Sequence, residues 1–327
     1  MGRGSRSSFA TSMRAGIVTV TLNPSLDEWI QLPAIRLGQL NRAASFLRYP
    51  GGKGLNVSRV LQELGGRTLA FGLAGGEDGE ILRQLMSRLR LAWTFVPVAG
   101  STRNNYKILT ASPSTLTEIN TAGPRIRRAE WEALFTRIRR AAVRCDGVVL
   151  SGSLPPGAPQ TLYGRWIRAL HRLNVPTILD TSGKALAHGI RARPWLVKPN
   201  REETEALIGH RLMHRYHVVE AAQHVLQRGA TLAILSLGGD GAVLAAQHPR
   251  GVWWARPPRV RVVSAVGAGD SLVGGFLFAW TRRYGLLESF RWGVAAGTAA
   301  VMTPGTALCR QADVVRLQRR IVIDRLV

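Results

Sequence analysis

Near the carboxyl end, Ser264-Ala-Val-Gly-Ala-Gly-Asp270 precedes an apolar, glycine-containing run from Ser271 to Trp280. Gly267 and Gly269 permit a tight turn whose backbone N–H groups point into one concavity, and the run that follows reads as a helix. Amides gathered at a helix N-terminus make an anion site, suited to the transferring phosphate of a nucleotide. Asp270 falls in the first turn, where the helix dipole favours its ionised form. There it could take the proton of an attacking hydroxyl during phosphoryl transfer. Read more plainly, the segment is a turn and an acidic helix start.

Four other segments have residue types fit for chemistry. Pro50-Gly51-Gly52-Lys53-Gly54-Leu-Asn56 leads into a helix. Its glycines let the backbone approach a ligand, and the Asn56 amide offers sugar hydroxyls both a donor and an acceptor, or it is a helix cap. Lys198-Pro-Asn200-Arg-Glu-Glu203 follows a strand. Asn200 and Glu203 could sit near magnesium and its waters, joined by Asp180 from the end of the preceding strand. The same spacing is also a capping box. Ser236-Leu-Gly238-Gly-Asp-Gly241 is a hairpin turn or the floor under a nucleotide. Asp27, just after the first strand, could bond sugar hydroxyls, and Arg103 could grip a phosphate in forked geometry or be a solvated charge. The third glycine of a dinucleotide fingerprint is missing after Gly269, and the glycine run at Gly51 lacks P-loop spacing.

The elements that must carry these residues alternate. Strand-like runs at Ile17–Leu22, Thr68–Leu73, Gly147–Ser151, Thr177–Asp180, Trp195–Lys198 and Leu232–Leu237 are separated by amphipathic helical stretches. The pattern predicts an α/β fold, a parallel sheet flanked by helices on both faces. Glu28–Tyr49 and Trp93–Asn120 lack a long helix. They predict a small β-sheet standing over a ligand as a lid, formed by about 26–49 and 92–121. Gly293 to Ala300 is a helix faced with small residues, suited to close packing or to the face of a base. Residues 1–15 read as a disordered basic extension, with Met13 an alternative start, and 16–327 as one domain.

Composition narrows the classes. With 327 residues and 46% hydrophobic, the chain can build a large core. Its apolar runs are about half the length that crosses a bilayer. Two distant cysteines, Cys145 and Cys309, argue against disulfides or zinc and for a reducing, cytoplasmic setting. The formal charge of +24 attracts anions, yet the basic residues are dispersed, and only Lys53, Lys107, Lys184 and Lys198 are lysines among 44. Arginine spread by drift in residue usage accounts for this as well as selection for a polyanion, so no nucleic-acid partner is expected.

In this order, the segments resemble the PfkB (ribokinase-like) family of sugar kinases, from about Gly16 to the C-terminal helix. The most telling pieces are Gly51-Gly52-Lys53-Gly54 with Asn56, and Val266-Gly-Ala-Gly-Asp270. Thr21-Leu-Asn-Pro-Ser-Leu-Asp27, Ser151-Gly-Ser153-Leu-Pro-Pro-Gly157 and Trp195-Leu-Val-Lys-Pro-Asn200 resemble its phosphofructokinase branch. The resemblance implies Asp270 as base and Gly267, Ala268 and Gly269 as anion hole. It implies Asp27, Gly51, Gly52, Asn56, Arg103 and Ser153 on the sugar phosphate, and Lys198, Asn200, Ser236, Gly238 and Gly241 on ATP. It implies Mg²⁺ organised by Asn200 and Glu203, K⁺ held by Ser264, Val266, Ala300, Thr303 and Gly305, and a homodimer through the lid.

The activity implied is ATP-dependent phosphorylation of a ketohexose monophosphate, with fructose 6-phosphate first. Fructose 1-phosphate and tagatose 6-phosphate are alternatives, as is an unphosphorylated sugar or nucleoside. A basic nucleic-acid-binding protein without catalysis is the rival from another class. Gln39 and Asn41 stand where the minor 6-phosphofructokinases carry a lysine and an arginine, Lys53 is closer to the 1-phosphofructokinases, and Thr303-Pro304 replaces a more polar pair.

Overall fold

A computed structural model describes residues 16–111, 114–305 and 307–327; the expected N-terminal extension lies outside them. The chain runs β1 (Ile17–Thr21), β2 (Ser25–Leu32), β3 (Ser45–Gly51), α1 (Lys53–Glu63), β4 (Thr68–Ala74), α2 (Gly76–Arg88), β5 (Ala92–Pro97), β6 (Arg103–Ala111) and β7 (Ser114–Asn120). It continues through α3 (Arg128–Ala142), β8 (Gly147–Ser151), α4 (Leu162–His171), β9 (Thr177–Asp180), α5 (Gly183–Ile190), β10 (Leu196–Val197), α6 (Arg201–Ile208) and α7 (Arg215–Gln227). It ends with β11 (Leu232–Ser236), β12 (Ala242–Ala246), β13 (Gly251–Arg256), α8 (Ala268–Thr281), α9 (Leu286–Ala300), α10 (Gln311–Gln318) and β14 (Val322–Arg325).

Ten strands form the main sheet, in the order β14-β13-β12-β11-β10-β9-β8-β1-β4-β5. From β5 to β11 all neighbours are parallel. Successive side chains alternate between faces: Val18, Val20, Val148 and Leu150 join α3, α4 and α7 in one core, while Ile17 and Val149 join α1, α8 and α9 in the other. The expectation of a parallel sheet needs one correction, because β12, β13 and β14 are antiparallel additions. Gly238–Asp240 and the segment from Gln247 to Arg250 are too short for helical crossovers, so the chain must double back there.

A second sheet, ordered β3-β2-β6-β7, stands off the first. The lid boundaries shift accordingly: Ala92–Pro97 is β5, an edge strand of the main sheet paired with β4, and the second segment of the small sheet begins at Arg103. The small-residue helix, α9, packs against α8. A methyl group on Gly275 would lie 2.6 Å from Ala296 Cβ, and one on Gly293 2.8 Å from Leu272 O. Close packing is what that composition serves. β1 lies between β4 and β8, and the chain reverses its direction of travel across the sheet there. Crevices at such a reversal, on the carboxyl edge, are where open α/β sheets bind ligands.

Candidate active site

Ser153, Asp180, Lys198 and Ser236 lie at or just past the carboxyl ends of β8, β9, β10 and β11, and Asp27 and Arg103 lie on the small sheet. Gly267 caps α8 at φ 76°, a left-handed value that glycine adopts without strain. Asp270 follows in the first turn, 6% exposed, and its Oδ2 accepts from Asn56 Nδ2 at 2.8 Å. Asn56 stands in the first turn of α1, whose cap, Gly52, has φ 131°. The glycines of this run leave no room for a side chain: a methyl on Gly51 would meet Asp27 Oδ1 at 2.1 Å, and one on Gly54 would meet Thr21 Oγ1 at 2.6 Å. The glycines let α1 start against β1 and so aim Asn56 at Asp270. Of the three residues expected to form an anion hole, Ala268 has its amide pointed to Ala265 O at 3.3 Å.

Between Asp270 and the sheet lies a cluster of charges. Asp180, fully buried at the end of β9, accepts from Lys53 Nζ at 3.0 Å and faces Lys198 Nζ at 3.5 Å, both through Oδ1. Its Oδ2 is buried and has no hydrogen-bond partner among the described residues. Burial alone would raise the Asp180 pKa, but Lys198 and then Lys53 hold it below the ordinary carboxylate range. Burial likewise opposes the Lys53 ammonium, and Asp180, Asp270 and Glu203 outweigh it, keeping it charged well above its usual range. Asp270 moves the other way. Burial pushes it up to about 6, with the Asp180 charge adding to the rise and Lys53 restraining it.

Asn200 and Glu203 form the capping box of α6, Asn200 Oδ1 accepting from Glu203 N at 2.7 Å and Glu203 Oε2 from Asn200 N at 2.9 Å. The box uses one Glu203 oxygen only. Asn200 also bridges to Ser236, the last residue of β11, which brings these two together. Gly238 and Gly241 follow in a 3-10 turn at φ 64° and 94°, closing the β11–β12 hairpin. Among the described residues no cluster of His, Cys, Asp or Glu could cage a metal. The donor set fits a divalent ion met through water: Asp180 Oδ2 is a buried acceptor with no hydrogen-bond partner among the described residues, and the Glu203 charge acts on Lys53 as Asp180 does.

The residues expected to hold potassium are also brought side by side. Val263 N and Ser264 N both donate to Val301 O, at 2.7 and 3.3 Å. Thr303 Oγ1 lies 2.8 Å from Ala300 O and 2.9 Å from Leu308 O, so the Ala300 carbonyl is already engaged. Gly305 follows at φ 68°, and Val266 N–H donates to Ser264 Oγ.

A cleft of ≈ 590 Å³ opens on the other side, lined by Asn23, Arg103, Ser153 and Gly157 among others. Arg103 Nε donates to Asn23 O at 3.2 Å, and Asn23 Nδ2 to Ser153 Oγ at 3.2 Å. A second cleft of ≈ 430 Å³, with Lys184 in its wall, shares Ser153 with the first. Asp270 lines neither; the loop after β8, which lends Ser153 to both, is tied to the end of β9 by Gly152 N donating to Asp180 O at 2.9 Å. Asp27 does not project free from β2. It is paired with Lys107 Nζ at 3.0 Å and accepts from Ser25 Oγ and Asn105 Nδ2.

The model of the pfkB family carbohydrate kinases matches residues 20–313. The chain belongs to that family. As a PfkB kinase it is 36% identical over 287 residues to the 1-phosphofructokinase of Bacillus subtilis, covering 88% of this chain and 93% of that protein. It is 35% identical over 301 residues to the ATP-dependent 6-phosphofructokinase isozyme 2 of Mycobacterium tuberculosis, covering 92% and 88%. Among solved structures, Escherichia coli phosphofructokinase-2 in complex with potassium superposes with a TM-score of 0.88 at 32% identity, covering 93% and 98%.

Reading the sequence alone missed three groups of this PfkB kinase: Lys107, the Lys53–Asp180 pair, and Arg59, whose Nη1 reaches Asn56 Oδ1 at 3.5 Å. An arginine only donates, so it fixes the Asn56 oxygen on its side and the amide N–H toward Asp270. Lys107 did leave a signal. Arg103, Asn105 and Lys107 recur every second residue along β6, which places three polar groups on one face of the strand. Gln39 and Asn41 lie in the exposed connection between β2 and β3, where Asn41 bonds Arg36.

Proposed function

We propose that this PfkB kinase transfers the γ-phosphoryl group of ATP to a hydroxymethyl group of a ketohexose monophosphate, with fructose 6-phosphate its first substrate. The observation that carries this reading is the Asp270 carboxylate, held by Asn56 at the N-terminus of α8 within the field of the two ammonium groups, Lys53 and Lys198, that face Asp180. With its pKa at about 6, Asp270 is ionised at neutral pH yet basic enough to take a hydroxyl proton. The first-turn amides of α8 and Lys198 stand where charge accumulates on the transferring group, and a loose transition state is stabilised by such fixed donors. Mg²⁺ met through water near Asn200, Glu203 and Asp180 would neutralise phosphate charge when bound. K⁺ beside Ser264, Val266, Ala300, Thr303 and Gly305 would steady the turn before α8. Ser236, Gly238 and Gly241 line the nucleotide side.

Arg103, Ser153 and Asn23 would grip the distant phosphate of the sugar, which makes the first cleft its seat. One feature favours fructose 1-phosphate as a second reading: Lys53 in the glycine run, with the 1-phosphofructokinase of Bacillus subtilis as similar as the 6-phosphofructokinase isozyme 2 of Mycobacterium tuberculosis. Initial rates with fructose, fructose 6-phosphate and fructose 1-phosphate, with products read by phosphorus NMR, decide among them. Comparable turnover of free fructose would sink the phosphate-gripping role. Arg103→Ala should raise KM for the sugar phosphate on the order of tenfold while KM for ATP stays within about twofold, since one charge-assisted contact is lost.

The pH profile carries a sign. Asp270 must be deprotonated to act, so kcat/KM should fall about tenfold per unit below pH 6 and level off above it. The sugar phosphate also titrates near there, so the control is the residual activity of Asp270→Asn, which should lack the Asp270 contribution. A wild-type profile flat to pH 5 contradicts the assignment. The small sheet exposes Phe46, Leu47 and Ile119 at 48–53% of their surface, which supports a homodimer through that sheet. Sedimentation should then show twice the 35.7 kDa chain mass, and a single-chain species contradicts it.

A further inference from the structure

The chain has four lysines among its 44 basic residues, and none of the four lies at random. Lys53 and Lys198 face Asp180, Lys107 is buried against Asp27, and Lys184 lines the second cleft. Lysine brings a compact ammonium, two of which can share one carboxylate oxygen, where arginine brings a forked guanidinium. Lys198 Nζ lies 3.2 Å from where a side chain on Gly269 would begin, directly under the turn before Asp270. Its side chain is 3% exposed, and that of Lys53 is 37% exposed at the mouth of the site. The two come from elements far apart in sequence, the first turn of α1 and the end of β10. One carboxylate oxygen, Asp180 Oδ1, touches both.

Given the phosphoryl-transfer reading above, we propose that Asp180 is a positioning residue that holds Lys53 and Lys198 as a two-point clamp on the transferring phosphoryl group, with Lys53 a catalytic residue in direct contact with it. Asp180 is fully buried, and both ammonium groups lie on its Oδ1. Shared between two ammonium groups, it leaves net positive charge facing the phosphate, and keeps that charge from collapsing onto Asp270. An ammonium that stabilises the charge spread over the transferring oxygens lowers the barrier more than it tightens ground-state binding.

The test uses full-length protein with ATP, Mg²⁺ and whichever sugar phosphate the wild type turns over fastest. A wild type inactive on every fructose phosphate sinks the functional reading, and the results below bear on the clamp alone. Lys53→Met should lower kcat about 10²-fold, the usual cost of one such donor, with both KM values within about threefold. Lys53→Cys should be equally slow and regain at least a tenth of wild-type kcat after alkylation with 2-bromoethylamine, which rebuilds an ammonium at nearly the same reach. Asp180→Asn should lower kcat by about tenfold or more through misplaced lysines. If that variant does not fold, the Lys53 pair carries the test. A Lys53→Met kcat within threefold of wild type overturns the clamp, and so does an aminoethylated Lys53→Cys enzyme that stays as slow as its parent.

Discussion

Asp270→Asn lowers kcat by about 10³-fold while ATP still binds. The substitution keeps shape and the Asn56 contact but removes the only carboxylate of the α8 turn, and a general base contributes on the order of 10² to 10⁴ in rate. Its neighbours fix the direction of the effect. Lys53 and Lys198 remain paired to Asp180, so the positive face toward the phosphate survives, and the nucleotide keeps its electrostatic partners. The loss therefore falls on kcat. Isothermal titration with ATP alongside steady-state rates separates binding from turnover. A variant with more than a tenth of wild-type kcat removes Asp270 from proton transfer.

Lys107→Met destabilises the fold by about 3 kcal/mol. Lys107 and Asp27 are 6% and 7% exposed in their side chains, 3.0 Å apart, and removing one partner leaves the other's charge buried. The hydrogen bonds from Ser25 and Asn105 to Asp27 persist, so the cost sits at the low end of the range for broken buried pairs. The double variant Lys107→Met/Asp27→Asn should recover part of the loss, because the uncompensated charge is gone. Urea melts measure both. A single variant within 1 kcal/mol of wild type contradicts the pairing. Sugar binding weakens in step, because the same face of β6 presents Arg103 to the cleft.

Much of this site was legible because its chemistry is local. The turn before Asp270, the glycine run before Asn56 and the Asn200–Glu203 box each hold their meaning within seven or fewer residues, and local geometry follows from local type. The strands of the parallel region were legible as continuous apolar runs bounded by turns. What escaped was set by distance along the chain. Lys53 and Asp180 are 127 residues apart, and no single-sequence spacing announces a contact across a sheet edge. Asp27 was read as able to bond sugar hydroxyls, and nothing in its own segment announced that β6 pairs in parallel with β2 and delivers Lys107 against it. The antiparallel pair β12 and β13 escaped because, rich in alanine and tryptophan, these strands carry none of the polar alternation that marks a surface hairpin. The capping box shows the converse. The plain reading of Asn200 and Glu203 is what the structure shows, one oxygen of Glu203 completing the cap and the other staying outside it.

The central claim is that one ionised aspartate, seated at a helix N-terminus, accepts the proton of a sugar-phosphate alcohol as phosphate arrives. A crystal structure of the protein with a non-hydrolysable ATP analogue, Mg²⁺ and fructose 6-phosphate tests it most directly. The account predicts the acceptor hydroxyl oxygen about 3 Å from an Asp270 carboxylate oxygen, with the distant sugar phosphate on Arg103. A bound sugar whose acceptor hydroxyl lies beyond reach of Asp270, or faces another carboxylate, contradicts it.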